Sequence, residues 1–315
     1  MLQSKENSIH ARRIVSRPVA TLILLSVAAA GVVQAAEGGS SVYPTGVETV
    51  MPGLMPPPHK TIFEEFDNFY QANGLMDAKG HSLVPGFHLR VTAVAGKLVH
   101  NWGVKALGGV LVSSVAVPVL YEHLTGPFGS VQKTGMGNPD IGVLDVAYAK
   151  GSWHWWYGLD AFTPGAPYNK NDMLNPGQHN YAAAPSGAFT YLPHHGATEI
   201  SSRFEYIVNF TDPADQYRSG HVFNWEYDGM QNITKKLAVG VNGYALQQTT
   251  DDRQYGLAVP GGDRMRALAT GPELRYHAGR AELIVKYQKE FAVENRPRGN
   301  AFWFQVGVPL WGHEK

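Results

Sequence analysis

The sequence predicts an all-β fold: a transmembrane antiparallel up-and-down β-barrel of about twelve strands, with an N-terminal lead able to plug its lumen. Three observations predict it. Apolar and polar residues alternate with period two over segments longer than soluble strands usually are. Short and long connections alternate along the chain, as in barrels with tight periplasmic turns and long external loops. A segment with the features of a secretory signal opens the chain.

Composition narrows the function classes. The 315 residues are 44% hydrophobic and 17% charged, with 26 basic and 26 acidic side chains. This balance offers no basic surface for nucleic acid. The absence of cysteine excludes disulfides, thiolate catalysis and lipid attachment at a lipobox.

The elements follow in order. Lys5, Arg12, Arg13 and Arg17 precede an apolar run from Val19 to Val33. Val33 and Ala35 occupy the small-residue positions of a signal-peptidase site, so residues 1–35 read as a signal peptide cleaved after Ala35. Interrupted by Ser26 and Gly31, the run falls short of the roughly 20 apolar residues of an anchor. Residues 36–59 form a proline-rich lead with no periodicity, because Pro56-Pro57-Pro58 cannot donate to a ladder. It reads either as a plug, with Met51, Leu54 and Met55 as its apolar surface, or as a disordered tail.

From Lys60 the spacing predicts strands over 60–72, 86–100, 105–119, 139–149, 152–163, 179–192, 196–210, 217–230, 235–250, 264–277, 281–293 and 300–310. The barrel thus covers 60–310, with 311–315 as a C-terminal tail. Tight connections are expected at Asn101-Trp102-Gly103, Lys150-Gly151, Pro193-His194-His195, Gln231 to Thr234 and Ala278-Gly279-Arg280. Longer joins fall at 73–85, 120–138, 164–178, 211–216, 251–263 and 294–299. Within 196–210, Ile200, Phe204, Tyr206 and Val208 share one face, opposite Glu199, Ser201, Arg203, Glu205 and Asn209. Aromatic residues such as Trp102, Trp153, Trp155, Tyr157 and Trp303 crowd strand ends, as interface girdles require. Phe302, Phe304, Val306, Val308 and Leu310 make a terminal strand of the kind that barrel-assembly machinery engages.

Several stretches carry a family resemblance. They include Tyr43-Pro44-Thr45-Gly46-Val47-Glu48 with Met55-Pro56-Pro57-Pro58, Gly135-Met136-Gly137-Asn138-Pro139-Asp140, and Asn175-Pro176-Gly177-Gln178-His179-Asn180. Gly240-Val241-Asn242-Gly243-Tyr244, Gly271-Pro272-Glu273-Leu274 and Lys286-Tyr287-Gln288-Lys289-Glu290-Phe291 follow. In this order the chain resembles the SphA-like proteins of the meta-pathway of phenol degradation. The resemblance implies a Gram-negative outer-membrane barrel that handles aromatic or hydrophobic compounds.

Chemistry-bearing motifs are few. There is no P-loop, no G-x-G-x-x-G opening a helix, no H-E-x-x-H and no G-x-S-x-G. His194-His195 falls in a tight turn and Asp251-Asp252 borders a loop, so no metal or cofactor is expected. A barrel lipase would need Ser201 or Ser202 beside His221, without any activating sequence context. The inward charges Glu199, Arg203, Glu205, Glu226, Glu273, Arg275 and Lys286, with Asn209, line the expected lumen as substrate path or as packing. The leading expectation is therefore a channel for passive uptake of hydrophobic or aromatic small molecules. Its expected partners are outer-membrane lipid and those solutes. A lipid hydrolase and a non-transporting structural barrel are the alternatives.

Overall fold

The computed structural model describes residues 39–311; the expected signal peptide and most of the expected tail lie outside them. Sixteen strands follow one another. They are β1 (Thr61–Leu75), β2 (His88–Ala106), β3 (Gly109–Gly126), β4 (Gly129–Met136), β5 (Asp140–Lys150), β6 (Trp153–Phe162), β7 (Ala182–Tyr191), β8 (Thr198–Asn209) and β9 (Tyr217–Arg218). After them come β10 (Val222–Asn232), β11 (Leu237–Gln248), β12 (Arg253–Gln254), β13 (Leu257–Ala258), β14 (Arg266–Ala278), β15 (Ala281–Glu294) and β16 (Pro297–Pro309).

Thirteen of these make one antiparallel sheet, and the pairing of β2 with β3 closes it. Twelve form the wall, while β4 pairs only with the far half of β3. The short β9, β12 and β13 make a separate sheet within the loops. Chain order around the wall matches spatial order, and β1 meets β16 with Ile62 opposite Pro309. The fold is thus the predicted up-and-down barrel of twelve strands.

Side-chain alternation decides which surface faces where. On β8, Glu199, Ser201, Arg203 and Glu205 are buried inside, while Ile200 and Phe204 are exposed outside. The exterior is apolar: Val94, Val117, Ile141, Leu159, Phe223, Trp225, Val241 and Phe302 are all exposed. In water a continuous apolar band of this extent would drive aggregation; hydrocarbon is the solvent that accepts it. Near the short-turn end Trp153 stacks on Tyr191 at 4.4 Å and Tyr148 on Trp155 at 5.3 Å, as a girdle would.

Three connections differ from the spacing. Asn101-Trp102-Gly103 does not turn the chain. The ladder shifts register between Asn101 and Lys105, so the Gly is absorbed as a bulge within β2. The turn comes at Leu107-Gly108, both with positive φ (49° and 83°), which suits a two-residue hairpin. The join at 120–138 is no open loop, since β3 continues into a hairpin with β4. At 294–299, Asn295 (φ 51°) supports a two-residue turn instead of a longer loop.

Two outward carboxylates break the apolar band. Asp67 lies between Val94 and Phe304, and Glu65 between Gly96 and Val306. A carboxylate on the hydrocarbon face is unfavourable, though less so than a cation. Asp67→Val is therefore expected to stabilise the barrel in lipid vesicles by about 1 kcal/mol. A lower urea midpoint for the variant would show instead that Asp67 has a favourable partner.

Candidate functional site

The lumen is where sequence and packing concentrate polar chemistry. Residues 39–59 run through it. Gly39 sits against Arg296 and Pro297 at the loop end, and His59 bonds the Asn101 carbonyl at the other end. Between these points the wall grips the segment largely through its backbone.

The grip comes from several strands. Glu226 on β10 accepts hydrogen bonds from the amides of Gly46 and Glu48. Glu199 on β8 accepts from Met51 N at 2.7 Å, and Thr190 on β7 from Gly53 N at 3.0 Å. Lys286 on β15 donates to Gly46 O, Val47 O and Thr49 Oγ1 at 2.7–2.9 Å. Gln305 on β16 donates to Val47 O at 2.7 Å, Trp156 on β6 to Pro52 O at 2.7 Å, and Asn101 on β2 to Pro56 O at 2.8 Å. Donors and acceptors are matched on both sides, as a buried backbone requires.

Steric fit is equally tight. A Cβ on Gly53 would lie 2.4 Å from Thr190 N, and one on Gly46 would lie 2.5 Å from Gln288 Oε1. At Gly53 the neighbours are backbone, so no larger residue fits without displacing the segment; at Gly46 a φ of 95° disfavours any side chain.

Arg203 is the electrostatic centre. Its guanidinium contacts Asp160 at 2.9 Å, Glu205 at 3.3 Å and Glu48 at 3.4 Å. It also lies 4.5 Å above the Tyr43 ring. Lys97 pairs with the other oxygen of Glu48. Burial pushes the Glu48 carboxyl up, but Lys97 and Arg203 more than reverse this and hold it at about 2.

Of the residues expected to line the lumen, Glu199, Arg203, Glu205, Glu226 and Lys286 meet around residues 43–53. Arg275 approaches only indirectly, through its ion pair with Glu199, and Glu273 lies buried two residues away on the same face. Asn209 stands apart towards the loops, where it donates to Gly220 O at 2.8 Å. Met51 contributes its amide to Glu199, while Met55 packs against the cluster of Val99 and Trp156. Leu54 is half-buried.

Sequence reasoning missed Lys97, Asp160, Trp156 and Gln305. Lys97 had a signal, as a lone cation within the small and apolar run from Val91 to Val99. Trp156 carries no distinguishing signal, because Trp153, Trp155 and Tyr157 beside it are aromatic too.

A cavity of about 20 Å³ remains beside the segment, lined by Met55, Lys97, Ser114, Asp145 and Arg203 among others. That admits a water molecule, not an aromatic ring. A hollow of about 410 Å³ lies on the outer wall among Trp153, Trp155, Phe189 and Phe204. No His bonds either serine among the described residues: Ser201 Oγ bonds Thr190 and Glu199, and Ser202 Oγ the Glu226 carbonyl. His194 and His195 fall in the turn, and the described residues hold no metal-binding cluster.

Comparison places this geometry among known barrels. A family model described as "Putative MetA-pathway of phenol degradation" matches residues 72–306. An outer membrane channel from Pseudomonas putida F1 superposes with a TM-score of 0.70 at 14% identity, covering 81% of this chain and 97% of that one. The beta domain of the Bordetella autotransporter BrkA gives 0.48 at 13% identity, covering 80% and 98%. The CymD monoaromatic hydrocarbon channel gives 0.43 at 6%, covering 82% and 90%. At such identities the first speaks to fold, and the other two are too distant to weigh. Among curated proteins none matches the chain.

Glu48 yields a pH prediction. Because its folded value lies below the ordinary 4.5, its contribution is complete above pH 4.5 and is lost as pH falls towards 2. A spin label at Ser41→Cys, clean in a cysteine-free chain, should stay immobile at pH 5–7 and gain mobility below about pH 4. Mobility unchanged down to pH 2 would show that Glu48 does not anchor the segment.

Proposed function

From the premise that the chain belongs to the family of the MetA-pathway of phenol degradation, we propose an outer-membrane channel for passive uptake of hydrophobic or aromatic small molecules. In this reading residues 39–59 are its plug. The observation that carries the proposal is the lumen itself, a polar bore filled by one segment rather than by wall side chains.

A purely structural barrel could seal its interior with its own side chains. Here the seal is a continuous length of chain that leads into β1. Its Gly46 and Gly53 contacts hold it closely, yet its bonds are hydrogen bonds and ion pairs that a moving segment can break singly. The loops would admit solute, displacement of the segment would open the path, and the concentration gradient would drive passage. In this reading the chain works in the outer membrane of a Gram-negative bacterium after removal of residues 1–35. Assembly there would pass through the barrel-assembly machinery. No enzyme chemistry is required.

The test locks the segment. Thr45 Oγ1 donates to Asn224 Oδ1 at 3.1 Å, so Thr45→Cys with Asn224→Cys places two thiols together in an oxidising compartment. Cells limited for an aromatic growth substrate should take it up several-fold more slowly with the bridged variant, and reductant should restore the rate. Equal uptake by bridged, reduced and deletion strains would contradict the channel. A fixed slow rate after reduction would contradict the moving plug.

A further inference from the structure

The strand register writes a sharp boundary on the outer wall. Near the loop end, Tyr121 on β3, Phe69 on β1, Phe302 on β16 and Tyr287 on β15 lie in one cross-strand row, all outward and exposed. The only break among those five strands is Thr92 on β2. One step towards the loops the row becomes polar: His123, Arg90, Gln71, Asn300 and Lys289 are cross-strand neighbours in turn. Arg298 stands two residues from Asn300 on the same face. The row contains no carboxylate.

Arg90, Lys289 and Arg298 are exposed, and none has a hydrogen bond or ion pair among the described residues. The nearby cation Arg266, by contrast, pairs with Glu294 at 3.2 Å. Adjacent strands lie roughly 4.8 Å apart, so Arg90 and Lys289 are separated by roughly three such spacings, with uncharged amides between them. An aromatic row marks the level where hydrocarbon gives way to headgroups. Cations just beyond it meet whatever charge those headgroups carry. Spaced along one row and unpaired, they favour multivalent anionic oxygen.

We infer that the outward face of β2, β1, β16 and β15 at the loop end binds the phosphates of an outer-leaflet glycolipid through Arg90, Lys289 and Arg298. The inference rests on the membrane orientation proposed above, in which the loop end faces outwards. Gln71 and Asn300 donate to the sugar or phosphate oxygens between the cations. The acyl chains run down over Phe69, Phe302 and Tyr287. The ligand is lipid-borne phosphate, because the aromatic row supplies a surface that a free anion cannot use.

The test uses the full mature chain in detergent and a variant combining Arg90→Gln, Lys289→Gln and Arg298→Gln. Native mass spectrometry measures retention of bisphosphorylated lipid A, of the same lipid stripped of phosphate, and of lipid A challenged with inorganic phosphate. The variant should bind lipid A roughly a hundredfold more weakly, a factor of about five for each cation removed. The stripped lipid should not be retained, and inorganic phosphate should not displace lipid A. Equal affinity in the variant, or equal retention of the stripped lipid, overturns the site; displacement by inorganic phosphate overturns its assignment to lipid. Flotation with vesicles of phosphatidylethanolamine and phosphatidylglycerol separates the two readings. Wild type that fails to float overturns membrane insertion and with it the channel reading, whereas normal flotation without headgroup selectivity overturns only this inference.

Discussion

A narrow barrel whose inner surface carries buried charges must satisfy them without bulk water, and in this protein the backbone of residues 39–59 does so. Lys286 shows the constraint most clearly. It is 1% exposed, and its ammonium spends its donors on Gly46, Val47 and Thr49. Without the segment, Lys286, Glu226 and Glu199 would each lose hydrogen bonds at once. A charged group so stranded costs several kcal/mol. The lead is therefore part of the folded interior, and an opening motion has to replace its contacts with water or solute.

This dependence explains the division of labour around the wall. Outward positions need only be apolar, and Val, Leu and Phe fill them with little further pattern. Inward positions are specific in kind and place: Glu226 faces two amides, Gln305 faces a carbonyl, and Thr190 reaches Gly53. Arg203 binds the system together, because it joins Asp160 and Glu205 of the wall to Glu48 and Tyr43 of the segment. Release of the segment would have to break this hub together with the hydrogen bonds from Glu199, Glu226, Lys286 and Gln305, yet none of these contacts is part of a strand ladder.

Much of this was legible beforehand. Period-two alternation separated Glu199, Arg203 and Glu205 from Ile200 and Phe204, and it placed Glu226 and Lys286 inside. What alternation cannot give is who touches whom across a bore. Arg203 and Lys97 belong to strands distant in sequence, and they meet only because Glu48 lies between them. Turn spacing failed where glycine has two meanings: Gly103 lies in a bulge, while Gly108 closes a hairpin five residues later. The hairpin of β3 with β4 was hidden because Ser130, Gln132 and Thr134 are polar on the exposed face of β4 and read as loop.

The most direct measurement is amide hydrogen exchange at Gly46, Glu48, Met51 and Gly53, the four backbone donors held by wall side chains. The account predicts protection comparable to strand amides in the closed barrel, and faster exchange at these four sites alone when an aromatic solute is saturating. Exchange at the rate of an unstructured peptide without solute would contradict it, because the lumen would then be held by something other than this segment.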